Sequence, residues 1–104
     1  MKYRILYFGT DYCGYCRTTE PTVRKACMER EVEFVKIDPT QDSANIVDLW
    51  DLHQMPTTIA VEVKPTGDNG RVLGRWEGGL TPSAVEELFL HIERTFCKEK
   101  EDEK

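Results

Sequence analysis

Arg4-Ile5-Leu6-Tyr7-Phe8 is a nearly continuous apolar run, the pattern of a strand covered on both faces. Gly9-Thr10-Asp11-Tyr12 then breaks it as a short loop. From there the period changes. Cys16, Thr19, Val23, Ala26 and Cys27 recur at helical spacing, which predicts a helix from Gly14 to Arg30 with one buried stripe. Pro21 falls inside that span and predicts a kink, because it removes a backbone donor and crowds the preceding turn. Glu33-Phe34-Val35-Lys36-Ile37 is a second strand, stopped by Asp38-Pro39. Strand, helix and strand with short loops predict a βαβ unit, two parallel strands joined by a right-handed crossover.

Further on, Asp42 or Ser43 stands where it can cap a short second helix that buries Ile46, Leu49 and Trp50. After Met55-Pro56, the alternation of Ile59, Val61 and Val63 predicts a strand over Thr57–Val63 with one face inward. Lys64 to Gly70 is rich in Gly, Pro, Asp and Asn and reads as a hairpin turn, with Arg71 to Glu77 as the return strand and Gly78-Gly79 as its end. Thr81 caps and Pro82 opens a last helix, with Val85, Leu88, Phe89, Ile92 and Phe96 as its buried stripe. Lys98 to Lys104 mixes charges and reads as a solvated tail, which leaves residues 1–97 as the domain and 98–104 as the tail. The order β-α-β-α-β-β-α is that of an α/β domain.

A chain of 104 residues is one domain, large enough for a modest core without disulfide staples. Its net charge of −5 argues against non-specific nucleic-acid binding and against an anionic membrane surface as partner. No apolar run reaches a transmembrane length. Ile5 to Phe8 is too short for a signal-peptide core, and no small-residue cleavage site follows it. The expected location is therefore a reducing cytoplasm, where the four cysteines are not expected to serve as structural staples.

That compartment sharpens the reading of Cys13-Gly14-Tyr15-Cys16. Two thiols two residues apart close a disulfide or share a metal. A zinc site needs two more ligands, and Cys27, Cys97, His53 and His91 are scattered, so the pair reads as a redox dithiol with no metal. At the mouth of a helix, free N–H groups and the helix dipole favour a thiolate on Cys13, the species that attacks a disulfide. Cys16, one turn along and more buried, is placed to resolve the mixed disulfide. Gly14 has no side chain to obstruct a target, and Tyr15 cannot rigidify the turn as a proline would. Cys27 reads as an inert core thiol, and Cys97 as a spectator thiol or a partner in a regulatory or intermolecular disulfide. Arg17 either adds positive charge near the dithiol or is solvated; His53, just before the Met-Pro loop, either lies near the dithiol or is a loop histidine with no role; Glu20 reads as solvated, and Trp50 and Trp76 as packing residues. Tyr7 reads as a packing residue whose hydroxyl needs a partner if enclosed.

Taken in order, these motifs resemble the thioredoxin superfamily over residues 3 to 97. The dithiol follows the first strand and heads a helix. Pro21 stands five residues beyond Cys16, where thioredoxins carry a helix-kinking proline. Met55-Pro56-Thr57 opens the third strand, where the family proline is cis and packs beside the dithiol. Gly78 resembles the family glycine near the end of the fourth strand. The resemblance implies a thioredoxin fold, a four-stranded mixed sheet with helices on both faces. It also implies a cis bond before Pro56, with Tyr12, Gly14, Tyr15, Met55, Pro56 and Thr57 supporting the active site.

The sequence departs from the family pattern in several places. The pair comes too early for the extra strand and helix of full thioredoxins, so the form is short and glutaredoxin-like. Tyr7 stands where thioredoxins bury an acidic residue, Phe34 where they carry its lysine partner, and Tyr12 where they carry Trp. The Gly-Tyr dipeptide matches a bacterial disulfide isomerase family. Leu80-Thr81 after Gly78-Gly79 does not match the glutathione-binding Gly-Gly-Asp pattern of glutaredoxins.

The function implied is a dithiol–disulfide oxidoreductase that reduces protein disulfides as an electron donor. Its redox group is the Cys13–Cys16 disulfide, with no bound cofactor. Thioredoxin reductase or glutathione would regenerate it, and the protein is expected to act as a monomer. The alternatives are a glutathione-dependent glutaredoxin, a disulfide isomerase or oxidase, and a thioredoxin-fold binding subunit with an idle dithiol.

Overall fold

The structure, a computed structural model, describes residues 2–41 and 45–97. The first apolar run forms β1 (Tyr3–Phe8), and the helical stripe forms α1 (Gly14–Glu29). β2 (Glu33–Ile37) and a one-turn helix α2 (Ile46–Leu49) follow. A hairpin of β3 (Thr57–Val63) and β4 (Asn69–Glu77) leads to α3 (Pro82–Ile92) and a closing π-turn at Glu93–Cys97. The strands lie in the order β2-β1-β3-β4. β1 runs parallel to β2, with Leu6 beside Val35, and antiparallel to β3, with Leu6 beside Ile59. β3 runs antiparallel to β4. This is a four-stranded mixed sheet, with α1 and α3 packed on one face and the α2 segment on the other.

Because β1 is central, both of its faces are covered, which is why its apolar run is nearly continuous. One face carries Tyr3 and Ile5 against Val23, Ala26 and Cys27 of α1 and Val85, Leu88, Phe89 and Ile92 of α3. The other carries Leu6 and Phe8, with Leu52, Ile59 and Val61, beneath the α2 segment. The predicted stripe of α1, from Cys16 to Cys27, is the buried one, and the helix runs on through the exposed Pro21.

Three expectations are corrected. β3 does not alternate between core and solvent: Thr57 to Val61 are all buried, because β3 is central and lies between the two helical layers. α2 does not bury Leu49, which is 74% exposed. A single turn presents one narrow face, taken by Ile46 and Trp50, and Leu52 from the following loop fills the core position instead. Phe96 lies beyond α3 in the π-turn and is only half-buried. The candidate caps Asp42 and Ser43, the Cys97 side chain and the tail 98–104 lie outside the described residues. Thr81 does cap α3, its hydroxyl accepting from the Ala84 N–H at 3.1 Å. Among the described residues no helix is long and apolar enough to cross a membrane.

Candidate active site

The loop Gly9–Tyr12 carries the chain from the end of β1 into α1, and Gly9 extends the sheet by one more bond, its N–H donating to the Ile37 carbonyl at 3.1 Å. Cys13 is the N-cap of α1, in extended backbone conformation. Its sulfur accepts from the Cys16 N–H at 3.2 Å, one of the donors a helix start leaves without an internal partner. Its S–H points to the Met55 carbonyl at 3.7 Å. A negative sulfur there keeps the first of these bonds and strengthens it.

The two cysteines sit in unlike surroundings. Cys13 is half-buried, whereas Cys16 is 2% exposed. Burial, and after it the hydrogen bond with Cys13, pushes the Cys16 thiol up to about 11, against smaller downward pulls from the Thr10 backbone and the Tyr7 hydroxyl. Cys27, deep in the core, is pushed up to about 12 by burial alone, against the pull of Arg30 and Arg24. It is fully enclosed in the core with Ile5, Val23 and Phe89.

The Met55–Pro56 peptide is cis, and Pro56 is buried. Its carbonyl accepts from the Gly78 N–H at 2.7 Å, and Gly78 has φ near +90°, a conformation that suits glycine. Thr57 fixes the other side of the loop, its hydroxyl donating to the Gln54 carbonyl at 2.7 Å. Arg75 on β4 donates to the Trp50 and Asp51 carbonyls, which ties the segment leading to Met55 back onto the sheet. Thus Cys13, Cys16, Met55 and Pro56 come together at one end of the sheet. Tyr12 and Tyr15 flank them, 91% and 72% exposed. Tyr15 leans over Gly79, where a Cβ would come within 3.1 Å of its ring. A Cβ at Gly14 would meet nothing within 4 Å, so that edge of the dithiol is open. His53 is exposed and pairs with Asp51 at 3.0 Å rather than with the thiols.

Several neighbours of the site are not evident from the linear sequence. Tyr7 and Phe34, the two departures from the buried charge pair, touch each other as stacked rings 5.7 Å apart. Tyr7 is enclosed, and its hydroxyl donates to the Cys16 carbonyl at 2.9 Å. Burial, then the charges of Cys16 and Glu20, hold its phenol above the ordinary value. Gly9 packs beneath Cys16. Glu20 is not simply solvated: it pairs with Lys36 at 2.9 Å and Arg24 at 3.1 Å, while Lys36 also reaches Asp11 at 2.8 Å. The available signals were the four-residue spacing of Cys16 and Glu20 along one helix and the two-residue spacing of Phe34 and Lys36 along one strand.

Residues 1–84 match the family model for thioredoxin. Among solved structures, chloroplastic thioredoxin z is 21% identical with a TM-score of 0.70, over 89% of this chain and 80% of that one. The thioredoxin of Trypanosoma brucei brucei is 27% identical with a TM-score of 0.68, over 88% of this chain and 76% of that one. The thioredoxin of Fasciola hepatica is 24% identical with a TM-score of 0.66, over 86% and 79%. No curated protein matches the sequence.

Proposed function

The chain belongs to the thioredoxin family, and we propose that it works as a thiol–disulfide oxidoreductase that reduces protein disulfides through Cys13 and Cys16, with a thioredoxin reductase as its electron source in a reducing compartment. The observation that carries this reading is the inequality of the two sulfurs. Cys13 is the half-buried cap of a helix start, and Cys16 is enclosed one turn behind it.

In the first step the Cys13 thiolate attacks a target disulfide. A Cys13–target disulfide forms, the target's own sulfur–sulfur bond breaks, and the leaving sulfur takes the electron pair. In the second step Cys16 attacks the Cys13 sulfur. The Cys13–Cys16 disulfide forms, the second target sulfur leaves, and the target has gained two electrons. The Cys16 N–H, 3.2 Å from the Cys13 sulfur, donates a hydrogen bond to the atom that starts the sequence. The exposed rings of Tyr12 and Tyr15 and the open edge at Gly14 suit a bulky protein target. The backbone beside Pro56 suits pairing with an extended target segment.

The test is reduction of insulin disulfides, driven either by thioredoxin reductase with NADPH or by glutathione with its reductase. The reading predicts turnover with the first system and its loss in Cys13→Ser. Strong turnover with glutathione alone contradicts the thioredoxin-type assignment. No turnover with either, together with a strongly oxidising potential, favours an oxidase or isomerase. Inert thiols with intact partner binding in Cys13→Ser favour an idle binding subunit.

A further inference from the structure

On the inner side of the dithiol the fold encloses polar groups for which the attack by Cys13 has no use. The Tyr7 ring and the Cys16 sulfur face one gap: a Cβ built on Gly9 would come 2.9 Å from Tyr7 Cε2 and 3.1 Å from Cys16 Sγ. The bare α-carbon of Gly9 lets phenol and thiol share that space. Across the β1–β3 ladder Tyr7 pairs with Thr58, whose hydroxyl is buried and has no hydrogen-bond partner among the described residues. Opposed residues of a ladder project to the same face, so Thr58 adds a second polar group to the floor under the first turn of α1.

The charges around this floor are fixed. Lys36 on β2 stands opposite Tyr7, and hydrogen bonds to Asp11 and then Glu20 hold its ammonium above the usual value. The bond from Lys36 holds the Asp11 carboxyl below its usual value. Burial pushes the Glu20 carboxyl up, but the bonds from Lys36 and Arg24 outweigh it and hold it low. Lys36, Asp11 and Glu20 therefore keep their charge through the neutral range. The proton facing Tyr7 that the second exchange step must move is therefore that of the Cys16 thiol, which burial holds up to about 11.

We propose that Tyr7 is a positioning residue for Cys16: its hydroxyl transfers its hydrogen bond from the Cys16 carbonyl to the Cys16 sulfur as that sulfur becomes the attacking thiolate. This role rests on the exchange reading above. The step balances without a further reagent. The Cys16 thiol and the Cys13–target disulfide give the Cys13–Cys16 disulfide and a target thiol. The Cys16–Cys13 bond forms, the Cys13–target bond breaks, the electron pair goes to the target sulfur, and the Cys16 proton ends there. Tyr7 keeps its own proton throughout and serves as a donor. The Cys16 carbonyl, when released, remains in the α1 ladder. A buried thiol forms little thiolate at neutral pH, and a neutral donor turned onto the sulfur offsets that cost where bulk water cannot.

Tyr7→Phe keeps the ring and removes the hydroxyl. In a Cys13→Ser background, pH titration of the Cys16 β-carbon NMR shift reads the thiol directly. The expected result is a midpoint about one pH unit higher in Tyr7→Phe. With Cys13 present, release of a model target from its mixed disulfide should be about tenfold slower at neutral pH, with the alkylation rate of Cys13 unchanged. Fluorotyrosine at position 7, a stronger donor of nearly the same shape, should move the midpoint the other way, and it decides the matter if the Phe variant does not fold. A Cys16 midpoint that neither substitution moves overturns the proposal and leaves the hydroxyl as a partner of the helix carbonyl alone. If the unaltered protein releases no target from the mixed disulfide, the exchange reading fails, while the titration still judges Tyr7.

Discussion

On the outer side of the first turn of α1, Tyr12 and Tyr15 stand mostly in solvent, and a side chain at Gly14 would meet nothing. On the inner side, Tyr7 has no exposed surface, Cys16 is 2% exposed, and a side chain at Gly9 would collide with both. Four residues, Cys13 to Cys16, thus join a solvent-facing edge to a packed core. On the proposed reading, the difference lets one short motif divide its work. A thiol that must meet a large partner needs an open approach and an anion-stabilising cap. A thiol that must meet only its neighbour needs enclosure, so that nothing else reaches it. Cys27 gives the control on the same helix: equally buried, but near the opposite end from the cap.

The sharpest way to break this division is to remove the inner thiol. Cys16→Ser leaves Cys13 to attack but nothing to resolve, so the mixed disulfide should accumulate and turnover with a protein disulfide should fall by at least about a hundredfold. Trapping of the target on Cys13, seen as a mass increment on that peptide, checks it.

A second test uses pH. Thiols in the unfolded chain lose their protons at about 9.0, whereas the folded protein holds Cys16 to about 11 and Cys27 to about 12. Between those limits the native state binds more protons than the unfolded one, so stability is complete below about pH 9 and falls as pH rises. Each thiol contributes a slope of up to about 1.4 kcal/mol per pH unit. Denaturant unfolding of the reduced protein should show the decline, and Cys27→Ala should make it shallower.

The two glycines give a smaller, paired effect. Gly9→Ala forces a methyl between Tyr7 and Cys16 and should cost about 1–3 kcal/mol. Gly14→Ala should stay within about 0.5 kcal/mol or stabilise slightly, since alanine suits a helix better. Equal effects at the two positions would contradict the packing described. Smallest of all, Tyr12→Ala should leave stability within about 0.5 kcal/mol while weakening reactivity toward a protein target more than toward a small disulfide.

Much of this division is legible in the sequence, and the reasons are local. β1, α1 and β2 carry clear periods, and the stripe from Cys16 to Cys27 marks the buried face of the helix. α2 is harder, because a single turn has too few residues to declare a face, and Leu52 takes the place Leu49 was expected to fill. β3 misleads by its alternation: Thr58 and Ala60 look like solvent positions, yet they are small because helices lie above them. In the site, the cysteines announce themselves. The contacts of Tyr7, Gly9, Glu20 and Lys36 do not, because each joins elements far apart along the chain and follows from how α1 lies on the sheet.

The inequality of the two thiols is tested most directly by competition. The reduced, folded protein is given a substoichiometric dose of iodoacetamide at neutral pH, and the modified cysteine is located by peptide mass spectrometry. Cys13 should be labelled well ahead of Cys16 and Cys27, with the latter two reacting only when the protein is unfolded. Labelling of Cys16 as fast as Cys13 in the folded protein would contradict the account.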